Sequence, residues 1–97
     1  LPPRNTLLDA AHRAAAPHIY ATLHAAVSKS QEMTPAQLKA WVTAEVERNP
    51  LLKVIYYQSV DARTMQEVAT WDDSPRIQGC IAVQAGDIRL IDNICIR

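Results

Sequence analysis

The chain has 97 residues, about one domain with a single core, and falls short of the two-lobed architecture that most ATP-using or dinucleotide-using enzymes need. Ten basic and ten acidic residues cancel, so no long-range field favours a nucleic acid or an anionic membrane. No apolar run approaches the roughly 18 residues of a membrane span, and the opening LPPRN lacks the charged and apolar regions of a signal peptide, so the expectation is a soluble cytoplasmic protein. The chain opens on Leu1 and runs into Pro2-Pro3, which reads as a piece of something longer.

Asp9 precedes the alanine-rich stretch AAHRAAAPHIYATLHAAVSK, where Leu8, Ala11, Ala15, Ile19, Leu23 and Val27 recur at helical spacing. This predicts a first helix with Asp9 as N-cap. Pro17 lies inside it and removes one backbone hydrogen bond, which predicts a kink there or two abutting helical pieces. Thr34-Pro35-Ala36-Gln37 combines a capping-box pattern with Pro at the first helical position, and Leu38, Trp41, Val42 and Val46 follow on one face. The second helix is predicted from Pro35 to about Arg48. Asn49-Pro50 ends it, Asn serving as a left-handed cap.

From Lys53 the composition shifts to VIYYQSV, which predicts a first strand ending at the polar turn Asp61-Ala62-Arg63-Thr64. Met65 to Pro75 has weak periodicity and reads as a loop. Second and third strands are predicted over Arg76–Ala85 and Ile88–Ile96, joined by a two-residue turn at Gly86-Asp87. That turn places Ile81 opposite Asp92, Val83 opposite Leu90 and Cys80 opposite Asn93. Ile77, Gly79, Ile81, Val83, Ile88, Leu90, Ile94 and Ile96 then share one face, which Asp92 interrupts. The fold class is α+β: two main helices, the first kinked at Pro17, packed on one face of a three-stranded antiparallel sheet.

His12, His18 and His24 are six residues apart, a rotation of about 240° per step on a helix, so they do not converge on one metal. The only glycines, Gly79 and Gly86, form no multi-glycine loop between a strand and a helix, so any nucleotide would be held mainly by another domain. Cys80 and Cys95 fall in separate strands without a neighbouring base, and are expected to be buried, free, structural thiols. Asp92 within a strand reads as an acceptor of backbone N–H bonds across a bulge, as a partner of Arg76 or Arg89, or as an acid facing a cleft; the structural role is favoured. Arg4, beside two prolines, is read either as a solvated charge or as a phosphate contact.

Three segments together resemble the C-terminal domain of the pantothenate synthetase (pantoate–β-alanine ligase) family. RNTLLDAAHRAAAPHIYATL is similar to that family's RNxYL(S/T)xxxRxxAxxLYxxL stretch through Arg4, Asn5, Leu8, Arg13, Ala16 and Tyr20. YYQSVDARTM is similar to its YxEIxDxxTL segment through Tyr56, Val60, Asp61 and Thr64. GDIRLIDNICI is similar to its closing GxxRLIDN strand through Gly86, Arg89, Leu90, Ile91, Asp92 and Asn93. The resemblance covers essentially the whole chain.

The resemblance implies that residues 1–97 are the hinged C-terminal lid of an ATP-dependent ligase. That enzyme adenylates pantoate and then joins it to β-alanine, releasing AMP and pyrophosphate, with Mg2+ accompanying ATP. A Rossmann-like N-terminal catalytic domain, absent from this chain, would carry the HxGH motif and most substrate contacts, and the parent enzyme would be a homodimer. Leu1, Pro2, Pro3 and Arg4 fall on the family's Met-Ser-Ser-Arg segment, which grips the ATP phosphates. Arg4 matches; Pro2 and Pro3 replace two serines and remove two hydroxyls and two backbone donors. No catalytic residue and no metal ligand is assigned to this chain, and the isolated chain is expected to be inactive. The alternative is a non-catalytic interaction or assembly module that retains the lid fold.

Overall fold

A computed structural model describes residues 10–97. The periodic stretch from Ala10 forms two abutting pieces, α1 (Ala10–Ala15) and α2 (Pro17–Lys29). Pro17 has no N–H to give the carbonyl four residues back, so the ladder breaks there and the helix bends by 17°. Bonds from Ala16 N to His12 O and from Ile19 N to Ala16 O, both 3.0 Å, carry the backbone across the break. The expected start at Leu8 and the Asp9 cap lie outside the described residues.

Ala15, Ile19, Leu23, Ala26 and Ser30 recur at three-to-four-residue spacing and are buried, so one stripe of this helix faces the core. Thr34 then caps α3 (Pro35–Val46): its hydroxyl accepts from Gln37 N at 3.2 Å while the Gln37 side chain accepts from Thr34 N at 3.0 Å, the reciprocal pair the sequence predicts. Leu38, Val42 and Val46 bury the inner stripe of α3. His18 Nε2 donates to the Glu45 carbonyl at 2.7 Å and ties α2 to α3 near the end of the latter. Asn49 does not take the left-handed conformation expected of it; Met65 and Gly86 are the described residues with positive φ. Its side-chain oxygen instead accepts from Leu51 N at 3.0 Å, an Asx turn that passes the chain into the sheet.

The sheet runs β1 (Leu52–Asp61), β2 (Ile77–Ala85), β3 (Ile88–Cys95), antiparallel and in that order. The β2–β3 register pairs Ile81 with Asp92, Val83 with Leu90 and Cys80 with Asn93, as the Gly86-Asp87 turn requires. Gly86 has φ of 62°, a left-handed conformation that glycine adopts without a Cβ penalty. Ile96 continues the edge through its N–H to Ile77 O at 2.8 Å.

In β1 the register slips between Val54 and Tyr56, leaving Ile55 without a partner on β2. The bulge reverses the strand's alternation: Leu52 and Val54 face the core before it, Tyr57 and Ser59 after it. The Glu47 carboxylate accepts the Val54 N–H beside the bulge at 2.9 Å. Buried Tyr57 lies across Gly79 of β2, where an added Cβ would stand 2.6 Å from the phenol oxygen. Burial pushes the Tyr57 phenol up, opposed by its bond to the Ser59 hydroxyl and reinforced by Cys80.

Both helices therefore lie on one face of the sheet, over Leu52, Ile77, Ile81, Val83 and Ala85. Gly79→Ala forces Tyr57 out of its place and is expected to cost about 1–3 kcal/mol, read as a lower urea midpoint at unchanged slope. Thr34→Ala removes the α3 cap and is expected to cost about 1 kcal/mol in the same measurement.

Candidate functional site

The segment Leu1-Pro2-Pro3-Arg4, the one expected to contact a nucleotide, lies outside the described residues. The remaining candidates divide among three places.

The first is the turn after β1. Asp61 Oδ1 accepts from Arg63 N at 2.7 Å and from Thr64 N at 2.9 Å, while Asp61 N donates to Gln66 O and Met65 N to Asp61 O, both 2.8 Å. The carboxylate is thus the centre of a closed polar turn, with Met65 in the left-handed conformation at φ 62°. The Ser74 hydroxyl, then the Thr64 and Arg63 N–H groups, hold the Asp61 carboxyl down at about 2. That hydroxyl donates to the Arg76 carbonyl at 2.7 Å and accepts from Arg76 N at 3.2 Å. A hollow of roughly 450 Å³ opens beside the turn, lined by Asp61, Ala62, Arg63, Pro75 and Arg76.

The second is the stretch Met65 to Pro75, read from sequence as a loop but firmly tied down. Val68 N donates to Ser59 O at 2.9 Å and the Val68 side chain is buried. Asp73 accepts from Ala69 N at 2.9 Å and Thr70 N at 3.1 Å and caps a 3-10 turn, Trp71–Asp73; the Thr70 N–H, then that of Ala69, holds the Asp73 carboxyl below its ordinary range. Trp71 Nε1 donates to Met33 O at 2.7 Å. The Arg97 guanidinium stands 4.8 Å from the Trp71 ring centroid and donates to Ser30 O at 2.7 Å. An open cleft of roughly 490 Å³ lies between this turn and the α2–α3 connection, and Glu32, Asp72 and Arg97 bring both signs of charge to it. Neither Trp71 nor Arg97 stood out in the sequence, because their partners are 38 and 67 residues away.

The third is the closing strand RLIDN. Leu90 and Asp92 stand on the helix-covered face, while Arg89, Ile91 and Asn93 stand on the other. Asp92 is half-buried and its Oδ1 accepts the N–H of Asn93 at 2.8 Å. The expected bulge is not at Asp92, since β2 and β3 pair without a slip, and Arg89 alternates to the opposite face. An edge strand accommodates the carboxylate because one side of it stays in contact with water.

The histidines separate as their spacing predicts: His12 lies against Gly86, His18 bonds α3, and the His24 ring sits 5.7 Å from that of Tyr20. Among the described residues no group of three or more His, Cys, Asp and Glu side chains could hold a metal ion. Both cysteines are free, but neither is buried as expected: Cys80 is intermediate and Cys95 exposed, because both alternate to the uncovered face of the sheet. Desolvation pushes the Cys80 thiol up, away from the thiolate that a nucleophile requires. Neither glycine is open to a phosphate, Gly79 being closed by Tyr57 and Gly86 lying in the hairpin turn against His12. The described residues thus offer no glycine-lined phosphate cradle. No helix among them is long and apolar enough to cross a membrane.

The family model described as pantoate-beta-alanine ligase matches residues 1–95. This chain belongs to that family. It is 37% identical over 91 residues to the pantothenate synthetase of Porphyromonas gingivalis and, over the same length, 37% identical to that of Bacteroides thetaiotaomicron. Each alignment covers 94% of this chain and 32% of the relative, so the chain spans about a third of the length of the curated relatives it matches. The crystal structure of pantothenate synthetase from Thermus thermophilus superposes with a TM-score of 0.85 at 25% identity, over 99% of this chain and 34% of that one. The two-helix, three-stranded layer is therefore a domain of the pantoate-beta-alanine ligase fold.

In this ligase domain Asp61 organises the turn that ends β1, and its ionised form is the one the turn binds. Because its folded value lies below the ordinary one near 3.9, the stabilisation is complete above that pH and fades as the pH falls from about 4 toward 2. Asp61→Asn is expected to lower the unfolding midpoint at pH 7, with the difference from the parent shrinking through that acid window in a pH series of thermal melts.

Proposed function

We propose that this chain is the C-terminal lid domain of a pantothenate synthetase. In that reaction a pantoate carboxylate oxygen attacks the α-phosphorus of ATP and expels pyrophosphate. The amine of β-alanine then attacks the acyl carbon, loses a proton and displaces AMP to leave pantothenate. The observation that carries the proposal is a family match over residues 1–95 in a chain that spans only a third of its relatives. A domain of this size, with both glycines closed, takes the part of a rigid cover, and the pantoate site, the HxGH motif and the Mg2+ that accompanies ATP fall to an N-terminal catalytic domain of the same polypeptide.

Within this chain the nucleotide contact is assigned to Leu1, Pro2, Pro3 and Arg4, and within them to the Arg4 guanidinium, which can neutralise charge developing on the departing pyrophosphate. Pro2 and Pro3 offer neither hydroxyl nor N–H, so Arg4 and the remainder of the protein would carry that grip. On this reading the parent enzyme acts in the cytoplasm as a homodimer. The same two prolines favour a second reading, an interaction or assembly module that keeps the lid fold without the chemistry.

The complete reading frame is expected to release AMP only when both pantoate and β-alanine are present, and the 97-residue chain to release none. Arg4→Ala in the complete protein is expected to lower that rate by about 100-fold, the scale of removing one donor to a developing anion. No AMP from the complete protein would instead establish the second reading.

A further inference from the structure

The chain's helices cover one face of the sheet, and the other face carries an apolar row. Past the bulge, Tyr56 pairs with Ala82, and Ala82 pairs with Ile91, so the three form one line across β1, β2 and β3. Ile91 is 63% exposed, Tyr56 41%, and the bulged Ile55 beside them 44%, while Ala82 between them is fully buried. Polar rows flank the line on both sides: Lys53, Gln84 and Arg89 toward the hairpin turn, and Gln58, Cys80 and Asn93 toward the other end. An apolar centre holding Tyr and Ile within a polar, Arg-bearing rim has the composition of an interface rather than of a solvated sheet face.

We infer that this face is where the domain docks against the remainder of its own polypeptide, with Ile91 and Tyr56 as the anchors. The inference rests on the lid reading above. One observation selects this occupant. The chain spans a third of its relatives, so about two-thirds of such a polypeptide lies elsewhere and has a surface to present. The alternation of RLIDN takes its meaning from this division: Leu90 and Asp92 serve the domain's own core side, Arg89, Ile91 and Asn93 the docking side.

The test uses the complete protein with Cys80 and Cys95 replaced by serine, and cysteine introduced singly by Ile91→Cys, Tyr56→Cys or, as a control on the exposed side of α3, Ala40→Cys. Labelling by a neutral maleimide is timed with ATP and pantoate present. Ile91→Cys and Tyr56→Cys are expected to react about tenfold or more slowly than Ala40→Cys, and the protection to survive about 100-fold dilution. Equal rates at all three positions would overturn the inference, as would protection lost on dilution, which would assign the face to a second copy. AMP release from the same preparation reports separately on the ligase: activity with an unprotected Ile91→Cys overturns the docking face alone, and protection without activity overturns the ligase reading alone.

Discussion

Ile55 is the residue of β1 that β2 leaves unpaired, and that single extra residue decides which side of the sheet the rest of the strand occupies. Without it, Leu52 and Val54 would face the helices while Tyr57 and Ser59 faced water. With it, Tyr57 turns inward and lies over Gly79, the position on β2 where no side chain could coexist with the phenol. The bulge also turns Tyr56 outward into line with Ala82 and Ile91. The packed face and the uncovered face are two consequences of one register shift.

A few side-chain contacts fasten the helices to one another and to the segments that flank the sheet, and their magnitudes differ. The bonds from Trp71 to Met33, Arg97 to Ser30 and His18 to Glu45 are each partly buried; neutral bonds of this kind contribute about 1 kcal/mol, and those from a charged donor up to about 3. The ion pairs Lys39–Glu67 and Arg48–Glu45 are largely exposed and contribute between nothing and about 1 kcal/mol. The segment from Met65 to Pro75 therefore owes its order to the Asp73 carboxylate bound by backbone N–H groups, to buried Val68 and to the Trp71 ring nitrogen more than to its exposed ion pair with Lys39.

The described residues have the character of a scaffold with two distinct faces more than of a reactive site. The carboxylate most strongly held, Asp61, is consumed in a turn; the half-buried thiol, Cys80, is held protonated; the three histidines point to three different neighbours. What distinguishes the domain is the division between a helix-covered face and one carrying exposed Ile91 and Tyr56.

Much of this was legible in the order of residues because it depends on neighbours close along the chain. Thr34 and Gln37 cap a helix three residues apart, Pro17 breaks one by lacking an N–H, and Gly86-Asp87 sets a hairpin whose register then follows by counting. The family resemblance rested on RLIDN and the segments before it in the same local way, and it named Arg4, which lies outside the described residues. Other features had no local signal. Asn49 looked like a left-handed cap because Asn tolerates that conformation, yet the Leu51 N–H offered its side chain a better bond. Asp92 looked in need of an arginine or a bulge, yet an edge strand and the next residue's N–H sufficed. The bulge at Ile55, the stacking of Tyr57 on Gly79 and the joining of Trp71 to Met33 and Arg97 arise only when strands and loops distant in sequence are brought into contact. The residues alone determined the elements and their hairpin register, through interactions spanning a few positions; the tertiary structure alone decided which face each residue of β1 joined, because a strand's two sides are equivalent until a neighbour covers one of them.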